Sequence, residues 1–169
     1  MAPQDCIVSV DVDYRPDFAQ AAAVVFEDWE EAAPLEERVV RIDEVAPYVP
    51  GAFYKRELPC ILAVLKEILQ RPAIVVVDGY VWLGGLSKPG LGAHLYRALG
   101  ESTPVIGVAK TPFHSATDAI AITRGKSLAP LFVTAAGMDA REAAACVARM
   151  HGPYRIPTLL KRTDALCRQ

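Results

Sequence analysis

Paired cysteines, a long apolar run and clustered histidines are all missing from this 169-residue chain, and each absence removes a class of protein. The four cysteines, Cys6, Cys60, Cys146 and Cys167, stand far apart with no Cys-x-x-Cys and no Cys/His spacing. That argues against a zinc site and, in a chain of this size, against a disulfide framework, so reduced packing residues are expected. No apolar stretch approaches the ~20 residues of a membrane helix. The start, Met1-Ala2-Pro3-Gln4-Asp5, lacks the basic and apolar blocks of a signal peptide, so a soluble, cytosolic protein is expected. Low complexity and disorder are excluded as well: the 13 Pro and 11 Gly are scattered, and 52% of residues are hydrophobic against 22% charged. The length fits a single domain spanning residues 1–169.

The net charge of −2 hides an asymmetry. Residues 1–44 hold 12 acidic and 3 basic side chains, and the remainder holds 8 acidic and 15 basic. In the last 21 positions Arg149, Arg155, Lys161, Arg162 and Arg168 face only Asp164, which marks a basic C-terminal face able to track phosphates or simply to be solvated. The acidic stretch Glu27-Asp28-Trp29-Glu30-Glu31 reads as a strand end and turn rather than a metal cluster.

Strict alternation from Cys6 to Asp13 predicts a half-buried strand, with Cys6, Val8, Val10 and Val12 on one face and Ile7, Ser9, Asp11 and Asp13 on the other. Two further β-rich runs, Ala22 to Trp29 and Glu37 to Val45, complete a three-stranded antiparallel meander. Leu58, Ile61, Leu62, Leu65, Ile68 and Leu69 then recur at helical spacing up to the break before Pro72. The run from Ala73 to Gly79 is apolar on both faces, as a buried parallel strand requires. A glycine-rich loop from Gly84 to Gly92 leads to a helix closed by Gly100, a strand over Pro104 to Ala109, and an antiparallel pair over Ala119 to Thr123 and Leu131 to Thr134. Asp139 and Glu142 cap a last helix reaching about Met150. The fold class is α/β: a mixed sheet with an antiparallel meander plus parallel strands flanked by helices.

Three carboxylates fall where chemistry would use them: Asp11 in the first strand, Glu57 at the head of the first helix and Asp78 at the end of the central parallel strand. Open α/β sheets place their sites beyond the carboxyl ends of parallel strands. Magnesium is held by a few carboxylates together with water and substrate phosphate. Taken singly these residues are weak signals, since a strand Asp can face solvent and Glu57 can be a favourable charge near a helix N-terminus. Asp13 shares a face with Asp11 and also fits a turn before Tyr14-Arg15-Pro16.

The strings around these residues say more. Val8-Ser9-Val10-Asp11-Val12, Pro47-Tyr48-Val49-Pro50-Gly51-Ala52-Phe53-Tyr54-Lys55-Arg56-Glu57, Val77-Asp78-Gly79, Gly90-Leu91-Gly92-Ala93-His94-Leu95 and Ile106-Gly107-Val108-Ala109-Lys110 follow one another in this order. In order and spacing they resemble the endonuclease V family, and Arg155-Ile156-Pro157-Thr158 extends the resemblance over most of the chain. The resemblance implies a ribonuclease H-like fold. It also implies an endonuclease dependent on magnesium, with manganese as the alternative, that acts as a monomer on DNA or RNA containing deaminated purine. In the family the cut falls 3′ to inosine or deoxyinosine, one phosphodiester beyond the next nucleotide, and leaves 3′-hydroxyl and 5′-phosphate ends.

Position by position, Asp11, Glu57 and Asp78 match the family's metal-binding carboxylates, and Lys110 matches a basic residue near the scissile phosphate. Pro47-Tyr48-Val49-Pro50 matches the loop that wedges into the helix at the lesion, its structural alternative being a Pro-rich turn with Tyr48 packed on the core. Gly51, Gly79 and Gly107 either let backbone approach a flipped base or serve tight turns.

Two departures stand out. Gly84-Gly85-Leu86-Ser87-Lys88 replaces a His-Pro-Arg string of the family, and Gly137-Met138-Asp139 replaces a Gly-His string, with Asp139 a helix cap or a substitute ligand. The family's N-terminal helical segment is also absent from this sequence. His94 falls in a helix of core contacts, and His114 and His151 fall in loops. These losses motivate a second reading, a relative that binds deaminated or branched strands without cutting. Against it, a pure binder gains nothing from unpaired carboxylates beside phosphate. A phosphate-binding small-molecule enzyme built on the Gly84 to Gly92 loop is weaker still, because that loop carries no Gly-x-Gly-x-x-Gly or Walker spacing.

Overall fold

The computed structural model describes residues 5–84 and 88–169; Gly85, Leu86 and Ser87, inside the glycine-rich loop, lie outside the described residues, as do the first four. Strand β1 (Cys6–Tyr14) pairs antiparallel with β2 (Ala19–Phe26), and β2 pairs antiparallel with β3 (Glu36–Ile42). The expected meander is therefore present, with its second strand beginning and ending three residues early. That strand stops at Phe26 because Asp28 turns the chain, its Oδ1 accepting from Glu30 N at 2.9 Å, while Trp29 folds inward and meets Phe26 edge-on.

Beyond the meander come helix α1 (Tyr54–Leu65), β4 (Pro72–Asp78), α2 (Leu91–Ala98), β5 (Val105–Ala109), β6 (Ile120–Ile122), β7 (Leu131–Ala136), α3 (Ala140–Ala148) and α4 (Thr158–Cys167). They complete a seven-stranded sheet in the order β3-β2-β1-β4-β5-β7-β6. β1, β4 and β5 run parallel at its centre, and the outer strands are antiparallel. Strand alternation sorts the core into two layers. Cys6, Val8 and Val10 pack with Cys60, Ile61 and Val64 of α1 and with Leu91 and Leu95 of α2. Ile7, Val76 and Ile106 point the other way, toward Ala143 and Val147 of α3 and Leu159 and Leu166 of α4.

Two expectations are corrected by this packing. β1 is covered on both faces over its first five residues instead of being half-buried, because α4, absent from the expected element order, lies across its second face. Buried Ser9 meets Thr163 of α4 hydroxyl to hydroxyl at 3.0 Å. α1 ends at Leu65 rather than continuing toward Leu69. Ile68 still packs on the core, but Leu69 is 78% exposed and its N–H donates to the Glu36 carboxylate at 2.8 Å.

Other local signals hold. Gly100 closes α2 with a φ of 74°, and Asp139 caps α3, its Oδ1 accepting from Arg141 N at 2.7 Å. All four cysteines are free thiols, and among the described residues no helix is long and apolar enough to cross a membrane.

Candidate active site

The parallel pairing of β1 with β4 sets Val10 against Val77, so the next residue of each strand, Asp11 and Asp78, emerges at the same carboxyl edge of the sheet. Both share the strand face of Ser9 and Val76, the side covered by α4. Glu57 reaches the same edge from the other layer, in the first turn of α1. The three carboxylates are close enough for their charges to act on one another. Burial, then the charge of Asp78, push the Asp11 carboxyl up to about 7, although Val12 N donates to its Oδ1 at 2.9 Å. Burial, followed by Asp11 and Asp78, also pushes Glu57 up to about 7. Burial, with the neighbouring carboxylates adding to it, thus keeps both carboxyls protonated near neutrality, as at sites built to bind or react.

Lys110 is the cation at this edge. It follows β5 directly, and its Nζ lies 3.6 Å from Asp78 Oδ2, with both side chains almost half exposed. A pair this exposed contributes little to stability. It leaves a fixed positive charge beside the carboxylates and open to solvent.

A fourth carboxylate, not singled out from the sequence, comes from α4. Oxygen atoms of Asp11 and Asp164 and the Cys167 sulfur all lie within 4.8 Å of one another. Burial works to raise Asp164, but hydrogen bonding and charge from Arg168, with Lys110 and Asp11 adding to it, outweigh burial and hold this carboxyl below its ordinary range. Of the two facing carboxyls the proton therefore resides on Asp11. Burial, then the charges of Asp11 and Asp164, push the Cys167 thiol up to about 12, so it stays protonated and offers no thiolate. What remains is a donor set of carboxylate oxygens, which suits a hard divalent cation and not zinc.

The segment that delivers α4 to the edge is held by two arginines. Arg124 is only 6% exposed, and its guanidinium donates to the carbonyls of Met150, Gly152, Tyr154 and Arg155. Its charge faces backbone dipoles rather than a carboxylate, and burial pulls it below the usual arginine range. Next to it Gly125, with φ of 60°, has no room for a side chain, since a Cβ would collide with Pro153 O. Arg155 in turn donates to the carbonyls of Lys110 and Pro130, tying the end of β5 to the start of β7. The expected basic C-terminal face is thus partly consumed in structure: Arg162 pairs with Glu37 at 2.5 Å and Arg168 with Asp164 at 3.0 Å.

The Pro47-Tyr48-Val49-Pro50 loop runs between Val45 and Tyr54, both packed in the α1 layer, and Tyr48 is 60% exposed, so it does not pack on the core. Beneath it a groove of about 380 Å³ is lined by Arg15, Phe18, Asp43, Tyr48 and Arg56 among others. Gly51 and Gly79 have positive φ and open space where a Cβ would stand. Gly107 differs, because a Cβ there would meet Gly79 O at 2.5 Å and Val81 N at 2.9 Å; its role here is to let the turn after β4 cross β5. Asp13 pairs with Arg15 at 2.8 Å. Asp139 is engaged as the α3 cap. His94 stacks on Tyr54 with ring centroids 3.6 Å apart, and His151 meets Thr158 Oγ1 at 2.9 Å.

The chain has known relatives. The family model described as endonuclease V matches residues 1–130. Endonuclease V of Streptomyces avermitilis is 33% identical over 191 residues, spanning 96% of this chain and 79% of its own. Its counterpart in Streptomyces coelicolor is 35% identical over 188 residues, spanning 96% and 77%. The crystal structure of the Streptomyces avermitilis protein covers 98% of this chain and 81% of its own with a TM-score of 0.77 at 30% identity. That of Ciona intestinalis endonuclease V, in complex with a 23mer DNA containing an inosine followed by a ribo-adenosine, shares the fold with a TM-score of 0.78 at 20% identity, covering 97% and 84%.

Proposed function

The chain belongs to the endonuclease V family of phosphodiester hydrolases, and on that premise we propose that it cuts nucleic acid 3′ to inosine or deoxyinosine, with Asp11, Glu57, Asp78 and Lys110 as its catalytic set. The observation that carries this reading is the carboxyl edge of β1 and β4. Asp11, Glu57 and Asp78 approach it from both layers of the fold, near enough for their charges to act on one another, and burial followed by that repulsion pushes Asp11 and Glu57 up to about 7. Lys110 is the cation within ion-pair reach of Asp78 among the described residues, and the gathered carboxylate oxygens suit magnesium, or manganese, as the resident cofactor.

The family is typically metal-dependent, and Asp11, Glu57, Asp78 and Asp164 are the residues that would hold the ion. Bound there, a divalent cation would neutralise the cluster, polarise the scissile phosphate and activate water. Lys110 sets its ammonium where the phosphate gains negative charge. Arg155 fixes the backbone at Lys110, and so the origin of that side chain. Exposed Tyr48, between two rigid prolines, is placed to enter a base stack, and Gly51 and Gly79 leave open backbone for an extruded base. Inosine itself is supported by the Ciona intestinalis relative, whose complex contains it.

The test is cleavage of end-labelled DNA and RNA oligonucleotides that differ only in carrying one inosine or deoxyinosine, with magnesium and with manganese. A nick 3′ to the lesion in either strand type, absent from the adenosine control, is expected. Equal cleavage of both strands would overturn the lesion specificity, and no cleavage in any metal would overturn the activity.

A further inference from the structure

Beside the carboxylates, on the α4 side of the sheet, lies a second groove of about 290 Å³ lined by Lys110, Tyr154, Arg155, Ile156, Lys161 and Asp164. Lys110 and Asp164 line this groove and also belong to the carboxylate edge, so the groove borders it. Its walls combine three cations with an aromatic ring. Tyr154 is 71% exposed, an unusual position for a ring with nothing to cover it, on a backbone held rigidly by Arg124. Lys161 is exposed, and among the described residues it has no carboxylate within ion-pair distance. The lone acid, Asp164, already pairs with Arg168.

The topology gives this groove a direction. The Tyr48 loop and Glu57 belong to the α1 layer, whereas Tyr154 and Lys161 lead into and lie on α4, in the opposite layer. A strand whose scissile phosphate rests at Lys110 and Asp78, with its modified base toward Tyr48, must leave the carboxylates toward α4. We propose that this groove is a subsite for the nucleotide immediately 3′ of the cut, its 3′-phosphate beside Lys161 and Arg155 and its base or sugar face against Tyr154. The space approximates one nucleotide, and an exposed ring stacks on any base without reading its sequence. The site rests on the nuclease reading above, which assigns the lesion side to the Tyr48 loop. It would hold the 5′-phosphate product after the cut.

The experiment measures kcat and KM for the wild type, Tyr154→Ala, Tyr154→Phe and Lys161→Ala. The substrates are a long inosine-containing oligonucleotide, one ending at the cleaved phosphodiester's first 3′ residue, one without that residue's base, and one shortened on the 5′ side. On the long and 5′-shortened substrates, Tyr154→Ala is expected to raise KM about tenfold, with Tyr154→Phe close to wild type. Lys161→Ala is expected to raise KM about threefold and to reduce the salt dependence by roughly one ion. The effect should fall on KM rather than kcat, and the Tyr154→Ala penalty should vanish on the abasic substrate. A penalty equal on all four substrates, or no change in KM, would overturn the subsite while leaving the nuclease reading intact. If the wild type cuts nothing, the nuclease reading fails, and anisotropy of a fluorescent inosine oligonucleotide then decides the groove: affinity unchanged in Tyr154→Ala and Lys161→Ala would overturn it as well.

Discussion

Replacing Glu57 by glutamine should make the ion-free protein more stable and inactive at once. Glu57 is raised from 4.5 to about 7 by burial and by Asp11 and Asp78. A displacement of that size corresponds to about 3 kcal/mol of penalty on the ionised form. The sign follows from linkage: the folded carboxyl holds its proton more tightly than the unfolded one, so its contribution is intact below about pH 4.5 and is lost as pH rises through about 7. Glutamine keeps the shape and removes the charge. Because Asp11 relaxes when its neighbour is neutralised, part of the gain is shared, and a net stabilisation of about 1–3 kcal/mol at pH 8 is expected, or roughly 3–9 °C in Tm for a chain of this length. The assay is thermal unfolding of both proteins in chelator at pH 4.5, 6 and 8, repeated with magnesium. The difference should grow with pH, and magnesium should restore the wild type but not the variant. A Glu57→Gln protein that melts below wild type at pH 8, or by a margin independent of pH, would refute the view that burial and neighbouring charge penalise the ionised form of Glu57.

Three further substitutions probe separate links. Arg124→Ala deprives four carbonyls of their donor, and a loss of about 3 kcal/mol is expected in urea unfolding, with cleavage weakened because the segment before α4 loosens. Lys110→Ala should lower kcat by about 10²-fold or more while barely moving stability, since its partner Asp78 is almost half exposed; a change confined to KM would contradict its place beside the reacting phosphate. Thr163→Val breaks the buried hydroxyl pair with Ser9 and should cost about 1–2 kcal/mol in denaturant unfolding, with Ser9→Ala added to it recovering part of the loss.

The carboxylate edge was legible from the ordered strings that resemble the endonuclease V family, and strand alternation, which is rigid, agrees with them. Once Cys6 to Asp13 reads as a strand, Asp11 must share the face of Ser9, and an apolar run ending in Asp78 must expose that residue at a parallel strand's end. Asp164 was hidden because α4 lacks an ordinary start. Pro157 stands at its N-cap position and no side chain caps it, so the segment reads as a tail after a proline. Leu159, Thr163, Leu166 and Cys167 do keep helical spacing, and that signal would have placed Asp164 beside the buried face. The overrun of α1 has the opposite cause: Ile68 packs on the core from outside the helix, so apolar spacing continues where hydrogen bonding does not. Arg124 had no local signal, because its four acceptors lie 26 to 31 residues away.

The central claim is that the edge formed by Asp11, Glu57 and Asp78 is where the phosphodiester is cut. Asp78→Ala tests it most directly, since Asp78 is exposed at the strand end and its loss leaves both core layers untouched. With circular dichroism and Tm matching wild type, the variant should fail to nick an inosine-containing oligonucleotide in magnesium that wild type cuts 3′ to the lesion. Cleavage at an unchanged rate by the folded variant would place the chemistry elsewhere on the molecule.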